Sequence, residues 1–316
     1  MARHAVCYIA SDGHLFQTFA SAVQARANLS AAADVVIVAL DGSSSPSQEQ
    51  RVFEALCREH GIVFILASLD DLGGMHPMFG RLFFDRFLPA EIEEILYLDG
   101  DTQIVASLDP LMFAEAPVRG TIAVRDPMVF IHDAVPAFRK VIVAQWDRSR
   151  IPEALRRRYL NSGVLRMSRA TLAELQAQVV KLRGATTDLH FADQDLINLA
   201  LEDRVDLVSM DWNFPGFLLS SVIESKMRPR IIHFMSDPRP WNSALWPWGL
   251  TYYQPYVDIV LRHPQLEPYW ERIEGLRRVK YQLQQAYKKR IEGSKWQSTS
   301  AWTSLQAVSA ADRHIS

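Results

Sequence analysis

A chain of 316 residues, 48% hydrophobic and 22% charged, can bury a large core in one big domain or two modest ones. Its net charge of -2 gives no global attraction to nucleic acid or membrane, and no apolar stretch approaches a bilayer span. Two cysteines, Cys7 and Cys57, imply no disulfide framework, and the opening MARHAVCYIASDG reaches an aspartate too soon for a secretory signal, so a cytoplasmic location is expected.

In chain order, AVCYIAS (5–11) reads as a strand and FQTFASAVQARANL as the helix after it. DVVIVAL (34–40) precedes a Ser/Pro/Gln loop and the helix EQRVFEALCREHG, which stops at Gly61. IVFILAS (62–68) follows, then a break at Gly73-Gly74, MFGRLFFDRFLP, and the run EEILYLDGD. Continuous apolar strands separated by helices predict a mostly parallel sheet covered on both faces, with residues 1 to about 110 forming a nucleotide-binding type of α/β half. GTIAVRD (120–126), YLNSGVLRMS (159–168), RVDLVSMDWN (204–213) and PRIIHFM (229–235) extend it as a mixed sheet, interrupted by helices such as RATLAELQAQVVKLRG. Residues 271–295 then carry eight Lys or Arg against three Glu, and the last twenty residues, rich in Ser, Thr and Ala, are expected to be frayed.

The chemistry concentrates where the apolar run ILYL ends on Asp99-Gly100-Asp101. Two carboxylates one residue apart repel each other and resist desolvation, so they either face solvent at a strand end or share a cation. Ligands of open α/β sheets gather at such carboxyl ends, Gly100 permits a tight turn, and hard oxygen ligands suit Mg2+ or Mn2+ held with phosphates. The pattern alone leaves metal and solvated turn evenly balanced. A second triplet, Asp193-Gln194-Asp195, lies where a helix begins, a position that favours acids by itself. The order of residues does not match the Asp-x-Asp-Gly-Thr of dehalogenase-type phosphatases. No Gly-x-Gly-x-x-Gly follows the first strand and no Walker lysine motif occurs. Asp12 can accept a hydrogen bond from a ribose or uracil, or cap the following helix.

YIASDGHL, GRLFFDRFLP, ILYLDGD, YLNSGVLRMS, FADQDLINLAL, WNFPG and IIHFMSDPRPW occur in this order. Together they resemble the successive motifs of retaining family-eight glycosyltransferases, the group of bacterial lipopolysaccharide α-galactosyl- and α-glucosyltransferases and of glycogenin. The resemblance spans about residues 5 to 250. It implies a GT-A fold and a nucleotide diphosphate sugar bound through Mn2+, with Mg2+ as the alternative ion, and transfer with retention of anomeric configuration. Asp99 and Asp101 match the metal-binding acids of the family and His233 its third protein ligand. Arg81 matches a basic residue near the diphosphate, against a plain reading as a helix-surface arginine. Arg239 stands where the family often has lysine. Ser236 replaces a common glycine, and His14 and Leu15 replace the usual Asn and Tyr near the uracil. Asp193, Asn161 and Asp126 match donor-sugar contacts, and Gln194 a residue near the anomeric carbon. Since an amide is a poor nucleophile, front-face substitution is preferred, with double displacement left open. Trp241, Trp246 and Trp248 suit either acceptor stacking or packing.

The resulting expectation is a metal-dependent retaining hexosyltransferase. It takes UDP-galactose or UDP-glucose and builds an α-linkage on a glycan or glycolipid, with no nucleic-acid partner. The alternative is a non-catalytic glycan-binding scaffold. Residues 1–265 form the catalytic GT-A domain and 266–316 a basic, aromatic helical extension. That extension is read either as a helix lying on an anionic membrane, which would make the enzyme peripheral at the inner face of the cytoplasmic membrane, or as a solvated helix packed on the catalytic domain.

Overall fold

The computed structural model describes residues 3–42, 45–183, 192–291 and 293–315. Among the described residues ten strands run in chain order as β1 (His4–Ser11), β2 (Ala33–Asp41), β3 (Val63–Ser68), β4 (Glu94–Leu98), β5 (Thr102–Ile104), β6 (Thr121–Arg125), β7 (Leu160–Ser168), β8 (Val205–Val208), β9 (Phe214–Pro215) and β10 (Ile231–His233). Seven form the main sheet in the order β3-β2-β1-β4-β7-β6-β8, and β5, β10 and β9 form a small second sheet.

The apolar runs of β1 and β2 are continuous because helices cover both faces of the sheet. Val6, Tyr8, Val35 and Ile37 point into one core, while Ala5, Cys7, Val36 and Val38 point into the other, as a period of two requires. Both cysteines are buried as free thiols whose pKa burial pushes far up, so they are inert packing groups. Ser47 caps the helix Gln48–Glu59 through a reciprocal bond with Gln50, and Gly61 supplies the left-handed residue after it.

Three features of the topology position the site. β1 pairs in parallel with both β2 and β4, so the connections reverse direction there and leave a crevice at the carboxyl ends of β1 and β4. β7 runs antiparallel to β4 and β6, which brings the start of β7 to that same edge. Its register with β6 breaks, since Ala123 faces Leu165 whereas Val124 faces Asn161, and the intervening residues, 162–164, bulge from the ladder. In the second sheet β10 runs antiparallel to β5, so His233 lies opposite Thr102 and Phe234 N donates to Asp101 O at 3.0 Å.

The chain end departs from expectation. Residues 297–315 are not frayed: a helix, Thr299–Ser309, packs on the helix Met128–Ala134 and buries Ala301 and Leu305, next to the buried Trp296. Arg313 N donates to Leu207 O at 2.7 Å, and Asp312 forms a buried ion pair with Arg125 at 2.8 Å. Small residues give this segment its close helix packing, which their low hydrophobicity concealed. Leu266 and Trp270 join the same core. The helix Gly275–Ile291 is different, with Leu276, Leu283 and Tyr287 exposed beside its basic residues. No described helix is long and apolar enough to cross a membrane.

Candidate active site

A cavity of about 630 Å3 opens in the crevice between β1 and β4. Ser11, His14, Thr18, Tyr97, Tyr269 and Glu271 line it, together with Arg81, Asp99, Asp101 and Arg239. Asp99 and Asp101, which line it, and the buried His233 beneath them bring three ligand atoms within 4.8 Å of one another. His233 Nε2 is 3.0 Å from Asp101 and 3.5 Å from Asp99. Burial opposes the charge on Asp101, but His233 and Arg239 outweigh it and hold the carboxyl below its ordinary range. Burial likewise depresses His233, and the two carboxylates more than offset this, raising its pKa.

Two glycines make room for this cluster. A Cβ on Gly163 would stand 2.3 Å from His233 Cε1 and 2.7 Å from Asp99 Oδ2. A Cβ on Gly100 would stand 2.1 Å from Thr18 Oγ1. Gly100 is therefore required by the close approach of the helix Leu15–Ala27, and the tight turn expected of it is made without a positive φ.

Arg81 is no surface residue. Its side chain is 11% exposed, lies over the Tyr97 ring at 4.6 Å, and pairs with Asp99 at 3.2 Å and Asp193 at 3.1 Å. Its second nitrogen donates to Ser162 O at 2.9 Å, so the guanidinium is held in one plane. Tyr97 donates its hydroxyl to Asp99, and Arg239 pairs with Asp101 and, at 3.1 Å, with Asp237.

Beyond the triad lies a buried amide relay. His233 Nδ1 donates to Asn213 Oδ1 at 2.9 Å, Asn213 donates to Asn161 Oδ1 at 2.8 Å, and Asn161 donates to Asp126 at 3.1 Å. Gln194 Nε2 donates to the same Asp126 oxygen at 3.1 Å, and Gln194 Oε1 accepts from Ser162 N at 3.1 Å. Because a carboxylate only accepts, Asp126 fixes the orientation of both amides, and through them the tautomer of His233. Burial pushes the Asp126 pKa up against these donors. The polar contacts thus close a ring, from Asp99 through Arg81 and Ser162 to Gln194, Asp126, Asn161, Asn213 and His233, with Asp193 held beside it on Arg81.

Nine of the ten candidate residues meet in this ring or beside it. Asp12 does not: it is exposed and absent from the cavity lining, and the helix that was its alternative role has His14 at its N-cap position. Asp126, Asn161 and Gln194 are buried and do not line the open cavity. Phe191, in the segment FADQDLINLAL, lies outside the described residues. Of the tryptophans, Trp248 packs edge-on against Phe234, while Trp241 lines the cavity beside Arg239. Asn213, Tyr97 and Gly163 carried no assignment from the sequence, although each stands inside a motif quoted for the resemblance.

The fold is similar to that of the bifunctional glycosyltransferase WbbM in its apo form, with a TM-score of 0.64 at 16% identity over 85% of this chain and 51% of that one. It is similar to the galactosyltransferase LgtC in complex with donor and acceptor sugar analogs, at 0.58 and 16% over 80% of this chain and 95% of that one. It is also similar to the glycosyltransferase GlyE of Streptococcus pneumoniae TIGR4, at 0.57 and 16% over 82% and 63%. The chain spans about half the length of WbbM, and at these identities the likeness speaks for the fold, an α/β sheet of GT-A type. No curated protein matches the chain in sequence. The sequence model described as Glycosyl transferase family 8 matches residues 42–244, more than half of the chain and all of the ring described above, and the protein belongs to that family of glycosyltransferases.

Proposed function

We propose that the protein transfers galactose or glucose from a UDP-sugar to a glycan or glycolipid, with a divalent cation and with retention, giving an α-linkage. The observation that carries this is the convergence of Asp99, Asp101 and His233 with Arg81 and Arg239 at the crevice. Two carboxylates and one imidazole suit Mn2+ or Mg2+ and leave positions open for phosphate oxygens. The residues fit an ion, because Gly163 keeps clear the space beside His233 and Asp99 that any other side chain would fill. When bound, the cation would offset negative charge on the departing diphosphate.

The remaining work falls to the chain. Arg239 and Arg81, each anchored by carboxylates, present fixed cations to the diphosphate at little cost in reorganisation. Asp193, at the start of the helix Ala192–Leu201, accepts a hydrogen bond from a donor-sugar hydroxyl. Gln194 has committed its nitrogen to Asp126, so its oxygen retains a lone pair for the electron-poor sugar ring. An amide held at both ends is a poor nucleophile, which favours front-face substitution. In it the acceptor oxygen bonds to the anomeric carbon, the bond to the diphosphate breaks, and the acceptor proton passes to a diphosphate oxygen. A non-catalytic scaffold has no use for so many buried charges.

The exposed face of the helix Gly275–Ile291 supports a peripheral position at an anionic membrane surface, where a lipid-linked acceptor would lie. A screen of UDP-sugars for Mn2+-dependent hydrolysis, followed by proton NMR of the first product, tests the function. A β-glycoside, or hydrolysis indifferent to metal, would overturn it.

A further inference from the structure

Outside the ring, a second cluster has the composition of a metal site. His60 and His263 face each other with their Nε2 atoms 2.8 Å apart and their rings inclined at 73°. Glu59 offers a carboxylate oxygen within 4.8 Å of both. His263 is buried, His60 half-buried and Glu59 exposed, so a cation could enter from the Glu59 side. We propose that Glu59, His60 and His263 form a second metal site, for a transition-metal ion that takes imidazole ligands, with Zn2+ as the native occupant.

Three observations support it. The first is geometric. Two imidazole nitrogens on one tetrahedral Zn2+ lie about 3.3 Å apart, as Zn–N bonds of about 2.0–2.1 Å require. Opening the pair by about half an ångström therefore admits the ion. The second is electrostatic. His60 is the C-cap of the helix Gln48–Glu59 and His263 that of the helix Gly249–Arg262. Two helix carboxyl ends, each with partial negative charge, meet at one point, which favours a cation between them. The third is chemical. Two imidazoles and one carboxylate are the donor set that selects zinc over magnesium or calcium, unlike the oxygen-rich set at Asp99 and Asp101. A fourth position remains for water.

The site would tie together two elements 203 positions apart in the sequence. His60 packs edge-on against Phe19, and Phe53, on the helix that His60 ends, lies 5.6 Å from Tyr269. His263 immediately precedes the turn Pro264–Tyr269, which delivers Tyr269 to the cavity. Metal at the histidine pair thus clamps the segment that closes one wall of the crevice.

The test uses the full chain with Asp99→Asn and Asp101→Asn, so that the first cluster no longer binds, and Co2+ as a visible probe. Tetrahedral Co2+ with nitrogen ligands absorbs intensely in the visible, which a six-coordinate oxygen site does not. One equivalent of Co2+ should produce these bands and Zn2+ should abolish them, with a rise in Tm of several degrees. His60→Gln, a change at a half-buried position that keeps a polar side chain, should remove both the bands and the Zn2+-dependent rise. It should weaken Zn2+ by at least about tenfold. Far-UV circular dichroism checks that the variant stays folded. Absence of tetrahedral bands, or bands that survive His60→Gln, overturns the proposal.

Discussion

Asn213 accepts the Nδ1 proton of His233 at 2.9 Å, and so keeps the opposite nitrogen of the ring turned toward Asp101 and Asp99. Replacing Asn213 by alanine removes the partner that sets both the tautomer and the ring orientation. Mn2+ affinity should fall about 10- to 100-fold, the usual loss for the outer partner of a ligating histidine. Calorimetric titration of Mn2+ checks it, and unchanged affinity would remove Asn213 from the site.

The ligands themselves should matter more. Asp99→Asn, Asp101→Asn and His233→Ala should each lower turnover by more than about a hundredfold, corresponding to about 3 kcal/mol of lost stabilisation of the leaving group. If two of the three keep near-normal turnover at saturating donor, the metal assignment is wrong.

Proton and metal compete for His233. Its pKa is raised in the metal-free protein, where the imidazolium answers two carboxylates. The stability this contributes is fully present below the unfolded value, about 6.5, and is lost as pH rises through the folded value. Metal binding needs the neutral ring and so runs the other way, strengthening as pH climbs through the same value. Thermal melts and Mn2+ titrations over this window should slope in opposite directions, and parallel slopes would refute the linkage.

At the far end of the chain, Asp312 and Arg125 are 6% and 10% exposed in their side chains. Asp312→Ala leaves a buried guanidinium without its carboxylate and should cost about 3 kcal/mol of stability by urea denaturation. A loss under about 0.5 kcal/mol, as expected for a solvent-exposed pair, would mean that the segment is loosely held.

Membrane attachment is tested on the helix Gly275–Ile291 by substitution. Deleting everything from Tyr269 onward would also remove Trp270, Trp296 and Leu305 from the core. Replacing Lys280, Lys288, Lys289 and Arg290 by glutamine should leave melting unchanged and abolish cosedimentation with anionic vesicles at low salt, since each cation contributes about 1 kcal/mol near such a surface. Undiminished binding would discard the membrane role.

Much of this was legible in the residues, for reasons that differ from part to part. The strands of the main sheet announce themselves because burial on two faces demands unbroken apolar runs. Asp99, Asp101, Arg81 and His233 are ionisable groups placed beside such runs, where charge is conspicuous. Asn213 was not legible in this way, since a neutral amide in WNFPG has no local anomaly, and its role depends on β9 and β10 lying side by side. The need for Gly100 was visible, but its cause, contact with Thr18, belongs to the tertiary structure. The ordered chain end escaped because serine and alanine read as weak formers of a core until Trp296 and Leu305 anchor them.

The ring of polar contacts also bears on how the chain folds. Its links join residues distant in sequence: Asn213 and Asn161 are 52 positions apart, Gln194 and Asp126 are 68 apart, and Asn161 and Asp126 are 35 apart. Each link must await the closure of a long loop, and none can form from a local helix or hairpin. The ring is therefore among the last parts of the molecule to assemble, after β6, β7 and β10 have found their neighbours. A partly folded chain is catalytically silent, and recovery of activity during refolding should lag behind recovery of helical structure.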